Sequence, residues 1–187
     1  MPVPTPAQLG PLAGLVGDWE GDQGLDVSFH HSKGQVAETP YREVVSMKPF
    51  GPVDNGTQSL FGLDYRAAAY RIGEDEPFHT EVGSWLWDAE TSQVMKCFMV
   101  PRGSTLLAGG PTTADATEFS MRADVGSETY GVLSNQYLAA SARTIEFAMT
   151  VTVGEDTWSY DEVTRYDLAR TGTRIDHTDR NTLRRVK

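Results

Sequence analysis

The sequence predicts an all-β protein whose sheet closes into a single antiparallel up-and-down barrel of about ten strands. Beyond Gly17, runs rich in Val, Thr, Tyr, Phe and Trp alternate with turn residues, and no window carries a long amphipathic helix. A sheet of hairpin-linked strands without covering helices is most stable when it closes on itself, because closure removes both exposed edges of the sheet. Such a barrel is too wide for side chains alone to fill, so an internal cavity is expected. A β-sandwich is the structural alternative.

A short helix is expected ahead of the barrel. Pro6 suits the first turn of a helix, and Leu9, Leu12, Leu15 and Val16 follow it at near-helical spacing. A further proline and nearby glycines keep this helix short.

The first strand is expected to begin at a Gly-x-Trp-x-Gly motif formed by Gly17, Trp19 and Gly21. The two glycines let the backbone bend sharply as the chain enters the strand, and the indole ring of Trp19 is large enough to close one end of a barrel. Several ligand-holding β-barrels begin in this way. The alternative is a turn beside an ordinary buried tryptophan.

Turn residues divide the remainder of the chain into strands of similar spacing, which is typical of a meander. The expected strands are Gly17 to Val27, Pro40 to Lys48, Thr57 to Arg71, Phe78 to Trp87, Val94 to Val100, Thr105 to Gly109, Glu118 to Ala123, Ser141 to Val153, Thr157 to Leu168 and Thr173 to Val186.

The composition limits the class of protein. Its 187 residues fit one domain, 1–187, of which 1–8 are expected to form an extended arm. Cys97 is the only cysteine, so no internal disulfide can form. The formal net charge of -10 argues against nucleic acids and anionic membranes as partners. With no long apolar run, the chain is expected to be soluble and cytoplasmic.

The last strand contains the sharpest candidate for a binding residue. Its even positions, from Arg174 to Arg184, are all polar and mostly charged, so that face is expected to meet water. The odd face holds Ile175, His177, Asp179, Asn181, Leu183 and Arg185. His177 is therefore expected to point inward, where a neutral imidazole can coordinate a metal through one nitrogen while the other donates a hydrogen bond. The alternative is a buried histidine satisfied by its neighbours.

The other histidines give weaker signals. His79 lies near the start of a predicted strand and is expected either to look into the cavity or to sit at the strand entrance. His30 and His31 are adjacent in a polar stretch, which predicts a loop and not a two-histidine metal site. Hydrolase, phosphate-loop and dinucleotide-binding motifs are absent from the sequence. Carboxylates such as Glu20, Glu43 and Glu81 leave a cofactor-free acid–base enzyme open, without a positive signal for it.

Four segments taken together resemble the nitrobindin family of heme-binding β-barrels, which are related in shape to fatty-acid-binding proteins and lipocalins. The segments are Gly17 to Gly21, Phe78 to Gly83, Pro101 to Gly103 and Asp176 to Leu183. The resemblance spans nearly the whole chain and preserves the order of the motifs. The family's opening pattern is Gly-x-Trp-x-Gly-x-Gly; here Gln23 takes the place of its last glycine and Gly24 follows one residue late.

The resemblance implies a cofactor and a function. It implies that heme b is bound with His177 as the axial iron ligand, that His79 borders the pocket, and that Gly17, Trp19 and Gly21 belong to the cofactor-binding motif. The implied small ligand is nitric oxide or peroxynitrite, with isomerisation of peroxynitrite to nitrate, and the resemblance also allows a homodimer. The competing hypothesis is a heme-free carrier of fatty acids or another apolar small molecule in the same cavity.

Overall fold

The computed structural model describes residues 3–186 and folds them into a closed β-barrel. Within these residues the helices are α1 (Pro6–Leu9), a 3-10 helix (Gly10–Leu15) and α2 (Gln136–Ser141). The eleven strands are β1 (Gly17–His30), β2 (Gln35–Asn55), β3 (Gln58–Arg71), β4 (His79–Asp88), β5 (Gln93–Val100), β6 (Ser104–Pro111), β7 (Glu118–Val125), β8 (Gly131–Ser134), β9 (Ala142–Val153), β10 (Thr157–Leu168) and β11 (Thr173–Arg185).

The barrel closes because β1 pairs with β2 on one side and with β11 on the other. The remaining neighbours follow in sequence order, except around β8, which is inserted between β7 and β6. All pairings are antiparallel apart from β7 with β8, which run parallel. The predicted barrel of about ten antiparallel strands is therefore confirmed. The sequence reading missed β8 because four residues are too few to show a pattern.

The N-terminal helices close one end of the barrel. Thr5 begins α1 with a capping box, in which its backbone N–H donates to Gln8 Oε1 at 2.9 Å. Leu12 and Leu15 of the 3-10 helix are fully buried, and the indole of Trp19 donates to the carbonyl of Leu15 at 2.8 Å. The predicted short helix is thus present, and it includes 6–8, which were expected to lie in an extended arm. No helix within 3–186 has the length and apolarity needed to cross a membrane.

The first hairpin is longer than expected. The sequence placed His30 and His31 in a loop, but β1 continues to His30 and β2 begins at Gln35, so the turn is confined to residues 31–34. His30 Nε2 lies 3.0 Å from Thr39 Oγ1, a contact across the two strands that fixes this end of the hairpin. The loop prediction was therefore wrong for His30, because a polar stretch can form a strand when a partner strand provides hydrogen bonds and side-chain contacts for it.

The barrel interior divides into two halves along its axis. Near the helices it is filled by an apolar core, in which the ring of Trp85 lies edge-on to Trp158, with centroids 6.4 Å apart, and to Phe119 at 6.5 Å. Toward the opposite end, charged and polar side chains including Asp26, Thr39 and Glu43 are buried beside apolar ones such as Ile175. A polar interior at one end of a packed barrel indicates where a functional site lies.

The helical closure predicts a measurable contribution to stability. Replacing Leu12 with alanine leaves a void beneath the barrel, so the free energy of unfolding is expected to fall by about 2–5 kcal/mol. Leu133, which is exposed on β8, provides the matched control, and its replacement is expected to change stability by less than about 0.5 kcal/mol. Urea unfolding of both variants measures the difference. Equal losses would contradict a closing role for the helix.

Candidate functional site

His177 lies on β11 with its side chain turned into the barrel, as the alternation of the strand predicted. The neighbours on the same face, Ile175 and Asn181, are buried, whereas Asp176 and Thr178 on the other face are exposed. The side chain of His177 is 31% exposed. It is therefore an inward imidazole that can still be reached from outside.

The imidazole of His177 is held by a carboxylate from the first strand. His177 Nε2 lies 2.5 Å from Asp26 Oδ2, and the side chain of Asp26 is only 8% exposed. Ser28 donates to the other oxygen of Asp26 at 2.6 Å. Burial opposes ionisation of Asp26, but the hydrogen bond and charge of His177 hold its pKa below the ordinary value. Within 3–186 no hydrogen bond to His177 Nδ1 is found.

A chain of hydrogen bonds continues from this pair into the barrel. Asp179, which pairs with Asp26 across the two strands, accepts a hydrogen bond from the hydroxyl of Tyr41. That hydroxyl lies 2.8 Å from the hydroxyl of Tyr160, which donates to Glu43 Oε2 at 2.9 Å. The network therefore links the neighbourhood of His177 to the buried carboxyl group of Glu43.

These enclosed carboxyl groups hold protons unusually strongly. Burial, reinforced by the negative charges of Glu162 and Glu43, raises the pKa of Asp179 to about 9. Burial also raises the pKa of Glu43 to about 7, although hydrogen bonds from Asn181 and Tyr160 oppose the shift. Burial raises the pKa of Glu162 as well. Asp179 is therefore expected to stay protonated near pH 7, where Glu43 is close to its titration midpoint.

A second cluster surrounds Glu81 on β4. Lys96 donates to Glu81 Oε2 at 2.9 Å, and the hydroxyl of Tyr65 donates to the same oxygen at 2.8 Å. Lys96 is only 1% exposed, with its ammonium group 4.0 Å from the ring centroid of Phe98. Burial opposes ionisation of Glu81, but the charge of Lys96 lowers its pKa. This pair is a buried salt bridge in which both carboxylate oxygens of Glu81 have hydrogen-bond partners.

His79 contacts the same cluster from the barrel entrance. Its Nε2 lies 3.3 Å from Glu81 Oε1, and its side chain is 40% exposed. Burial favours the neutral ring, yet the hydrogen bond and charge of Glu81 raise the pKa of His79. Each of the two predicted histidines is thus held by its own carboxylate, His177 by Asp26 and His79 by Glu81.

The opening motif lies elsewhere, near the end that the helices close. The guanidinium of Arg185 lies 4.2 Å from the ring centroid of Trp19, which is completely buried. A Cβ added at Gly21 would lie 2.6 Å from the carbonyl oxygen of Thr182, and Gly17 has a φ of 135°. These residues let β1 pack closely on β11. A direct part for Gly17, Trp19 and Gly21 in cofactor binding remains a prediction.

The sequence named Glu81, the partner of His79, only as one of several carboxylates, and gave no sign of Asp26, the partner of His177. Asp26, Glu162 and Lys96 were not identified as site residues. Lys96 had a usable signal, because Val94 and Phe98 share its face on β5 and both are buried. A lysine between two buried apolar residues on one strand face predicts a buried charge with a partner.

A groove of about 760 Å³ crosses the outside of the sheet. Its lining includes the exposed residues Thr178, Arg180 and Asp161, together with Glu162 and Asp179 of the interior, and it includes neither His177 nor His79. This groove therefore does not correspond to the internal cavity expected from the sequence.

The chain is thus a closed β-barrel whose last strand carries a histidine held by a carboxylate of the first strand. The chain matches the model of the THAP4-like, heme-binding beta-barrel domain over residues 8–185, and it belongs to this family. The nitrobindin resemblance is thereby confirmed. The crystal structure of Rv2717c from M. tuberculosis has a TM-score of 0.67 at 17% identity, covering 98% of this chain and 99% of that chain, which shows a shared fold. No curated protein matches the sequence.

The raised pKa values predict how stability depends on pH. Asp179 and Glu43 have ordinary pKa values of 3.8 and 4.5, so the folded state binds more protons than the unfolded state up to about pH 9 and 7 respectively. The free energy of unfolding is therefore expected to fall as the pH rises from 5 to 9. Urea unfolding at pH 5, 7 and 9 measures this.

Replacing Asp179 with asparagine removes the group that titrates highest, so the fall between pH 7 and 9 is expected to shrink. Asp161→Asn, the same change at an exposed position on β10, is the control and is expected to retain the full fall. If the free energy of unfolding of the wild type instead rises between pH 7 and 9, the raised pKa values are contradicted.

Proposed function

We propose that this barrel binds ferric heme b through His177, at the end opposite the N-terminal helix. Eight residues separate His177 from Arg185 beside the helical closure, a distance of about 26 Å along the strand. The observation that carries the proposal is the state of the imidazole: Asp26 holds Nε2 at 2.5 Å, no hydrogen bond to Nδ1 is found in 3–186, and the side chain is 31% exposed. Membership of a heme-binding family supports the same conclusion.

The donor set around His177 fits an axial ligand. A histidine that binds a metal almost always gives its other ring nitrogen to a carboxylate, a carbonyl or water, which fixes its tautomer and orientation. Asp26 supplies that carboxylate and leaves Nδ1 as the free nitrogen. Its negative charge also favours the ferric over the ferrous state, because ferric iron carries one more positive charge.

Heme, when bound, would supply an iron centre that binds nitric oxide or peroxynitrite, and the family resemblance supports isomerisation of peroxynitrite to nitrate. The chain would position the imidazole that binds the iron and set the polarity of the interior around it. Asp26 orients the imidazole, and His79, held by Glu81, borders the same interior and offers a hydrogen-bond donor. Glu162 lies within electrostatic range of both histidines.

The fatty-acid carrier receives less support from these residues. The polar half of the interior holds Asp26, Glu43, Glu81 and Asp179, and a fatty-acid carboxylate bound there needs a cation that is free to pair with it. Lys96 lies among them, but its ammonium group already binds Glu81. A fatty-acid headgroup would therefore have to displace a buried salt bridge, which is costly.

Titration of the purified protein with hemin tests the proposal. The wild type is expected to develop a Soret band at one equivalent, and His177→Ala is expected to bind at least about tenfold more weakly, because the axial bond is lost. His31→Ala, at an exposed turn, is the matched control and is expected to titrate like the wild type. The axial assignment fails if His177→Ala and the wild type give the same spectrum and affinity.

The isomerisation of peroxynitrite is tested by a separate measurement. Hemin-loaded wild type is expected to accelerate the decay of peroxynitrite to nitrate in stopped-flow mixing, and the His31→Ala protein is expected to do the same. Decay at the rate of buffer containing the heme-free protein would leave the barrel as a heme carrier without this reaction.

A further inference from the structure

We propose that Asp26 is a positioning residue for the axial histidine, and that it biases the bound iron toward the ferric state. The inference rests on the proposed heme function and concerns residues of this chain that neither the family match nor the opening motif assigns. By accepting a hydrogen bond from Nε2, Asp26 fixes the imidazole with Nδ1 available and increases its electron donation to a metal.

The contact exists because the barrel closes. Asp26 and His177 are 151 residues apart in sequence and meet only where β1 pairs with β11. Nε2 of His177 lies 2.5 Å from Oδ2 of Asp26, and a hydrogen bond to an ionised carboxylate is stronger than one between neutral groups. A neutral amide in place of the carboxylate would accept a weaker bond.

A bulge in β1 is what turns Asp26 inward. At the start of the strand the odd position Trp19 is buried, whereas Asp18 and Glu20 are exposed. The register with β2 shifts between Gly21 and Gly24, and beyond the shift the even positions Gly24 and Asp26 are buried. Without the extra residue Asp26 would lie on the same face as Glu20. Bulges re-aim side chains in this way beside functional sites.

The bulge coincides with the departure from the family's opening pattern. Gln23 stands in the place of the last glycine of that pattern, and Gly24 follows one residue late. A Cβ at Gly24 would lie 2.4 Å from Cζ of Tyr41, so a glycine is required where β1 passes this ring. The displaced glycine and the inward carboxylate are thus parts of one local arrangement.

Asp26 is itself held in place, which makes it an effective partner. Ser28, two residues further along the inward face, donates to Oδ1 and leaves Oδ2 for His177. With both oxygens engaged and only 8% of the side chain exposed, the carboxylate has little freedom to turn toward water. Hydrogen bonding and charge around an axial ligand are the protein's means of setting an iron reduction potential.

The experiment compares the Fe(III)/Fe(II) midpoint potential of hemin-loaded wild type and Asp26→Asn by spectroelectrochemistry. Loss of the carboxylate is expected to shift the equilibrium at least about tenfold toward the ferrous state, which is about 59 mV for a one-electron couple. Asp176→Asn is the matched control, since it removes one negative charge beside His177 in sequence but on the exposed face. In this variant the Fe(III)/Fe(II) equilibrium is expected to shift by less than about twofold.

Ser28→Ala gives an independent test if Asp26→Asn does not fold or retain hemin. Removing the hydroxyl donor concentrates negative charge on the carboxylate, so the midpoint is expected to move in the opposite direction, toward the ferric state. The inference is overturned if Asp26→Asn matches Asp176→Asn, or if Ser28→Ala moves the midpoint toward the ferrous state. A wild type that gives no Soret band with hemin overturns the proposed function and this inference together.

Discussion

Pairing of the first strand with the last is the interaction on which both the fold and the candidate site depend. It removes the two free edges that a meander of eleven strands would otherwise expose. It also brings together side chains that are distant in sequence: Asp26 meets His177, and Tyr41 meets Asp179. Neither contact can form in an open sheet. The site is therefore a product of closure and not of any local motif.

The second constraint is that polar groups inside a barrel must find partners. Four groups at this end each have a partner: His177 has Asp26, His79 and Lys96 have Glu81, and Glu43 accepts bonds from Tyr160 and Asn181. Such a network rigidifies the interior only when it is complete. In the apolar half near the helices, the buried indole N–H groups of Trp85 and Trp158 have no hydrogen-bond partner within residues 3–186.

The sequence predicted the barrel and the inward direction of His177 because both follow from regular alternation. Val94, Lys96 and Phe98 obey the same rule, and the buried Lys96 could have been identified from it. Asp26 could not. Its inward position depends on the bulge between Gly21 and Gly24, which reverses the alternation of β1, and its partner lies on the last strand. Alternation assumes an unbroken register, so it fails where a single extra residue enters a strand.

The account makes a histidine on the last strand the point of attachment for iron and a carboxylate on the first strand its support. Anomalous scattering at the iron edge from crystals of the hemin-loaded protein tests this most directly. The predicted result is one iron peak at bonding distance from Nδ1 of His177, with Asp26 still on Nε2. Iron bound at His79, iron in the outer groove, or a His177 imidazole that has left Asp26 would contradict it.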